Sequence, residues 1–141
     1  MNNKFNIITI AFVFSMLAVC CGSGGNKQKV SSADFSDGEM VYKKYCQACH
    51  QLMGTGIPKM YPPLANNQAI ANDPEKIVST ILHGLSGKLV VNGVEYDGIM
   101  AMYPNLSDKE IADVTNYIRF VLNNGDGAEW NESHLKTIRE H

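Results

Sequence analysis

The stretch Cys46-Gln47-Ala48-Cys49-His50 constrains this 141-residue chain more than any other, because it ties two thiols and an imidazole to one turn of backbone. Thiols three residues apart in a helical turn point to one side, and the histidine follows the second directly. Such a group can close a redox disulfide, hold zinc, or bond covalently to something larger. The remaining cysteines narrow the choice. There are four in all, and the other two, Cys20 and Cys21, adjoin each other at the end of an N-terminal apolar run. If one of that pair is a lipid anchor, Cys46 and Cys49 have no distant partner, and the framework of a disulfide-stapled domain is missing.

A structural zinc site needs four nitrogen or sulfur ligands. No second cysteine pair exists, and His83, His134 and His141 are scattered. A thioredoxin-like redox motif expects a βαβ setting, whereas this chain reads as helix and loop. Two cysteines, two spacers and an adjacent histidine match c-type haem attachment. Cys46 and Cys49 would add to the two vinyl groups of one haem as thioethers, with His50 under the iron as proximal ligand.

The N-terminus has one positive residue, Lys4, then an apolar run from Ile7 to Val19. A bilayer span takes about 20 apolar residues, so residues 1–20 read as a signal peptide. Leu17-Ala18-Val19-Cys20-Cys21 resembles the bacterial lipoprotein signal, with Cys20 as the expected lipid anchor and Cys21 as the alternative. Val19 stands where that signal prefers a small residue, and export without lipid is the competing reading. Residues 21–33 are polar and glycine-rich, as a flexible linker is. The domain is expected on the periplasmic side of a bacterial membrane, lipid-anchored or else soluble. A net charge of −2 gives no basic stripe for phosphate backbones, which argues against nucleic acid as a partner.

Residues 34–124 form the expected domain and 125–141 a C-terminal extension, expected to be helical. Ser36 is placed to cap a helix carrying Gly38, Val41, Tyr42 and Tyr45 at helical spacing into Cys46, with Met40 read as core. Met53 to Asn67 holds glycines, prolines and asparagines and predicts a structured loop. Asp73-Pro74 opens a second helix, with Ile77, Ile81, Leu82 and Leu85 on one side. Asn92-Gly93 between two short apolar segments predicts a hairpin turn. Ser107 with Glu110 forms a capping box ahead of Ile111, Val114, Ile118 and Val121, and Gly125 follows as the stop. In the tail, Leu135 and Ile138 are expected to turn inward, with Trp130 tacking the extension to the domain. The fold class is all-α, with about four helices and a small β-hairpin.

From about Asp34 to Asn124 the chain resembles class I monohaem cytochromes c of the bacterial periplasmic and lipoprotein type. The resemblance rests on CQACH, on Gly38 and Tyr42 eight and four residues before Cys46, on Val114 and Tyr117 in the last helix, and on the order of the segments GIPKMYPPLANN, HGLSG, VNGVEYDGIM and LSDKEIADVTNYIR. It implies the cytochrome c fold, with loops wrapped around one covalent haem c. It implies Met100 as the distal iron ligand, although this chain has Met-Ala where the family commonly has Met-Pro, and Met102 lies two residues away. It implies a proline carbonyl behind His50, from Pro62 or from its neighbour Pro63. Tyr61, Leu64, Ile81, Leu85, Tyr96 and Ile99 would wall the pocket, or pack in the core without touching it. Met53 and Met60 read as packing against the ring, and His83 as a surface residue.

The implied function is one-electron transfer, not enzymatic turnover, between redox protein partners outside the cytoplasm, by a chain expected to be monomeric. Lys43, Lys44 and Lys59 could form a positive docking rim. The rival readings are a haem c subunit fixed in a reductase or oxidase complex, and a haem enzyme or gas sensor with an open distal site.

Overall fold

Two helices far apart in sequence meet where one of them has no side chain. In the computed structural model, which describes residues 34–139, helix α1 (Ser36–Tyr45) crosses helix α5 (Asp108–Asn116) at Gly38. A Cβ on Gly38 would collide with the Asp113 carbonyl and lie 2.8 Å from Cβ of Tyr117, so only glycine lets the backbones come this close. The expected signal peptide, the linker and the Cys20 or Cys21 anchor lie outside the described residues.

Between these helices run α2 (Gln47–His50), α3 (Gln68–Ala71), α4 (Pro74–His83) and a two-stranded antiparallel sheet of β1 (Leu85–Val91) and β2 (Val94–Met100). After α5 come a π-helical turn, Tyr117–Val121, and α6 (Glu132–Arg139). The mainly helical architecture with one small hairpin is that of the expected fold class. Among the described residues no helix is long and apolar enough to cross a membrane.

Local chemistry explains the boundaries. Asp73 accepts the Lys76 N–H at 3.0 Å, with Pro74 opening α4. Ser107 accepts the Glu110 N–H at 3.2 Å while the Glu110 carboxylate accepts the Ser107 N–H at 2.9 Å, closing the capping box of α5. Asn92 (φ 50°) and Gly93 (φ 80°) both take left-handed backbone, as a type I′ turn requires, and join Val91 to Val94. Tyr42, Val78, Ile111, Val114 and Leu135 are fully buried, each contributing roughly 1.5–3 kcal/mol.

Several expectations are corrected. Ser36 is the first helical residue and caps nothing with its side chain; its N–H instead donates to the Asp34 carboxylate at 3.0 Å. Met40 is 62% exposed, because the buried face of α1 is Gly38, Val41 and Tyr42. Helix α4 stops at His83, and Leu85 begins a strand, since Gly84 adopts φ 73°. Both strands span seven residues, longer than the apolar segments alone suggest. At the end of the last helix it is Asn124 (φ 50°) that turns left-handed, while the Gly125 N–H donates to the Arg119 carbonyl at 2.8 Å.

The tail is built into the domain. Leu135 is 0% exposed and lies in the main core. The Asn116 side-chain amide bonds the Trp130 backbone in both directions, donating to its carbonyl at 2.8 Å and accepting its N–H at 2.9 Å. The buried Arg119 guanidinium donates to the carbonyls of Ala71, Asp126 and Ala128.

Candidate haem-binding site

Helix α2 is a single turn, in which the Cys49 and His50 N–H groups both donate to the Cys46 carbonyl, at 3.2 and 2.9 Å. The chain then reverses at Gln51 (φ 65°, ψ 161°), a conformation that costs a non-glycine residue on the order of 1–3 kcal/mol. The Tyr42 hydroxyl secures it by donating to the Gln51 carbonyl at 2.7 Å. Beyond the reversal, Gly54 accepts the Leu64 and Ala65 N–H groups at 2.8 and 2.9 Å, and the Gly56 N–H returns to the His50 carbonyl at 2.9 Å. Gly56 (φ 65°) brings the backbone against Pro62: a Cβ there would lie 2.7 Å from the Pro62 carbonyl carbon.

This folding-back puts the Pro62 carbonyl behind the imidazole, and His50 Nδ1–H donates to it at 2.9 Å. The bond assigns the proton to Nδ1 and leaves Nε2 as a lone-pair donor, the arrangement a ligating histidine needs. His50 is 7% exposed. Burial pushes its pKa below the ordinary imidazole value, against the opposing pull of the Pro62 bond, so the ring is neutral at pH 7. The Pro63 carbonyl is occupied otherwise, accepting the Asn67 side-chain N–H at 3.1 Å.

Both thiols are free. Burial, and then the adjacent Cys49, pushes the Cys46 thiol up to about 11. A redox Cys-X-X-Cys motif depends on a lowered thiol pKa, so the electrostatics run against that chemistry. Among the described residues no three His, Cys, Asp or Glu side chains assemble as a metal-donor set.

Cys46, Cys49 and His50 line a cavity of about 360 Å³ together with Tyr61, Pro62, Pro63, Leu64, Ile81, Leu85, Tyr96, Ile99 and Met100. This volume falls in the range of roughly 300–1,000 Å³ usual for small-molecule sites. Met60 also lines it; Met53 and Met102 do not, and Met102 is 61% exposed. His83 is exposed at the end of α4. Lys43 pairs with Glu39 at 2.7 Å, and Lys44 lies over the Tyr45 ring, 4.8 Å from its centroid.

Sequence reasoning missed Val41, Tyr45, Tyr103 and Leu106 as cavity-lining residues. Tyr103 is the most consequential: its N–H donates to the Ile81 carbonyl at 2.8 Å and its hydroxyl to the Tyr45 carbonyl at 3.3 Å, tying the stretch after Met100 to α4 and α1. No local pattern announces it. Gly84 was legible as a helix stop but not as a neighbour of the methionine loop; a Cβ there would lie 2.6 Å from the Met100 carbonyl oxygen. Asn123 holds the haem loop from afar, donating to the Leu64 carbonyl at 2.7 Å and accepting the Asn67 N–H at 2.7 Å.

Two thiols and an imidazole on one turn, beside a largely apolar cavity that also holds a thioether, are a donor set that fits haem c. The site and the mainly helical fold around it are those of a class I haem c protein. The sequence profile of the cytochrome c family matches residues 35–121, and the chain belongs to that family, a monohaem member with covalently attached haem c as cofactor. The chain is 40% identical over 87 residues to cytochrome c-552 of Thermus thermophilus, covering 59% of this chain and 66% of that one. It is 36% identical over 100 residues to the cytochrome c subunit of a quinone alcohol dehydrogenase of Gluconacetobacter polyoxogenes, covering 69% and 20%. With cytochrome c-551 of Bacillus subtilis (strain 168) it shares 30% identity over 90 residues, covering 60% and 78%. The chain thus spans less than two thirds of the length of the Thermus relative.

Proposed function

We propose that the chain is a one-electron carrier whose haem iron is held by His50 and Met100, working between redox proteins outside the cytoplasm. The observation that carries the reading is the 2.9 Å bond from His50 Nδ1 to the Pro62 carbonyl, which presents Nε2 as a ligand. The haem, when bound, supplies an iron that cycles between ferric and ferrous states. The chain's own residues do the rest. Cys46 and Cys49 anchor the cofactor, and His50 is held neutral and oriented. Tyr61, Leu64 and Tyr96 exclude water from it. A methionine thioether favours the reduced iron and raises the potential. Lys59 is the best candidate for a docking charge, since Lys43 is already paired with Glu39.

Met100 is favoured over Met102 because it lines the cavity while Met102 points to solvent. Met100→Ala should abolish the far-red sulfur-to-iron absorption of the oxidised protein and lower its potential, whereas Met102→Ala should keep the band. A band lost only in the Met102 variant would reverse the assignment. A second reading is favoured by the dehydrogenase-subunit relative: the chain would serve as a fixed haem c subunit of a larger complex. Co-purification with a dehydrogenase from membranes would select it.

We also propose that residues 1–33 export the domain and tether it to the membrane through a lipid on Cys20, or on Cys21 if cleavage falls one residue later. Mass spectrometry of the mature N-terminus tests this, and an unmodified terminus inside the domain would refute the tether and mean a soluble periplasmic protein.

A further inference from the structure

The family match ends at Val121, yet the last described residue reaches back to the segment that follows Met100. The Arg139 guanidinium donates from Nη1 to the Pro104 carbonyl at 3.1 Å and from Nη2 to the Leu106 carbonyl, while Nε pairs with the carboxylate of Asp108, the first residue of α5. These three contacts fall on the stretch 104–108, which returns the chain from Met100 to its last long helix. Leu106, inside that stretch, is buried and lines the cavity. The arginine is placed by the core, because Leu135, one turn earlier on α6, is fully buried and Ile138 packs beside it. A planar guanidinium fork can hold several oxygens at once in fixed directions; a lysine ammonium cannot do so with the same geometry.

We propose that Arg139 is a positioning residue for the distal ligand: it straps Pro104–Asp108 to the domain and so keeps the Met100 thioether at the iron. This rests on the assignment of Met100 as ligand. Strand β2 ends at Met100, and between it and α5 the backbone is tied elsewhere by the Tyr103 N–H to Ile81 and the Leu106 N–H to Tyr103. Losing the guanidinium removes three further ties from a short segment while leaving Cys46, Cys49 and His50 untouched. The equilibrium between methionine-bound and methionine-free iron then shifts toward the free form.

Imidazole added to the oxidised holoprotein reads that equilibrium, since it reaches the iron only when the methionine has left, and its apparent affinity scales with the open fraction. Arg139→Ala should raise the apparent imidazole affinity about tenfold, the scale expected for losing charge-assisted hydrogen bonds. Arg139→Lys should fall between that variant and the unmutated protein. Met100→Ala should bring the affinity to its ceiling, and adding Arg139→Ala to it should raise it no further. Phe35→Ala controls for general loosening: its ring stacks on Phe120, 5.5 Å between centroids, in the π-helical turn that follows α5, whereas the strap lies before α5, and it should leave imidazole binding unchanged. An Arg139→Ala variant with unmutated affinity would overturn the strap, as would a Phe35→Ala variant that matches it. The strap also fails if Arg139→Ala acts fully in the Met100→Ala background. If Met100→Ala itself leaves imidazole binding unchanged, the ligand assignment falls, and the strap with it.

Discussion

The two stretches of chain that supply the cavity's sulfur and nitrogen donors are fastened in different ways. From Cys46 to Asn67 the backbone is bonded at almost every turn: Gly56 to His50, Leu64 and Ala65 to Gly54, Ile57 with Tyr61 in both directions, and Gln51 to Tyr42. From Leu85 to Tyr103 the backbone is bonded chiefly to itself, as the β1–β2 ladder. Its ties to the rest are few: the Tyr103 N–H to Ile81 and its hydroxyl to the Tyr45 carbonyl, the Asn92 side chain to the Asn66 carbonyl at 3.1 Å, and the close approach of Gly84 to Met100. Under the proposed His50 and Met100 ligation, the difference follows from the donors. An imidazole ligates through one nitrogen in one plane and must be aimed from behind. A thioether on three rotatable bonds adapts to an approximate position, so the methionine loop needs anchoring only at its ends.

The largest expected effect comes from breaking the densely bonded stretch. Gly56→Ala puts a Cβ into the Tyr61 and Pro62 carbonyls at a residue with φ 65°, and should cost about 3 kcal/mol or more in denaturant unfolding of the holoprotein. Gly84→Ala sharpens the contrast. Its φ is 73° and the Cβ would press on the Met100 carbonyl oxygen, yet the loop beyond can shift. It should cost roughly 1–2 kcal/mol while removing the far-red band with the haem still attached. Equal stability losses in the two variants, or a band that survives Gly84→Ala, would erase the distinction drawn here.

The smallest effect lies outside both stretches, at Glu110. Its hydrogen bond from the Ser107 N–H, and then the one from the Ser107 hydroxyl, hold its carboxyl below the usual value of 4.5. Because the folded pKa is the lower one, the stabilisation is complete above about pH 4.5. It is lost as the pH falls through the folded value. Glu110→Gln should therefore flatten the acid limb of a stability profile below about pH 4.5, by a small amount, because the group is exposed. A profile unchanged in shape would show that the box contributes no net charge effect.

What could be read from the sequence was what is encoded within a few residues. CQACH, the Ser107–Glu110 box, Asp73-Pro74 and Asn92-Gly93 all work over spans of two to five positions, and the structure places each where its spacing implied. Tyr61, Leu64, Ile81, Leu85, Tyr96 and Ile99 could be named as wall residues from the resemblance, and all line the cavity. Met40 was misread because apolar character was allowed to outweigh its place on the helix, between the buried Gly38 and Val41. Tyr103, Arg119, Asn123 and Arg139 gave no signal, since their partners lie up to 59 residues away. A polar side chain bonding distant carbonyls leaves no periodicity behind.

Asn123 also bears on how this chain can come into being. The proline-rich stretch cannot satisfy its own buried carbonyls and N–H groups, and it depends on that late asparagine for Leu64 and Asn67. Gly38 likewise waits for Asp113 and Tyr117, and α5 waits for Leu135 and Arg139. As the polypeptide emerges from its N-terminus, no early portion can reach its final state alone. Each newly made element stays provisional until residues after 110 are available, because non-local contacts form only after their loops have closed. The final packing of α1 and of the proline-rich stretch therefore depends on residues 113–123, and that of the segment leading into α5 on Arg139.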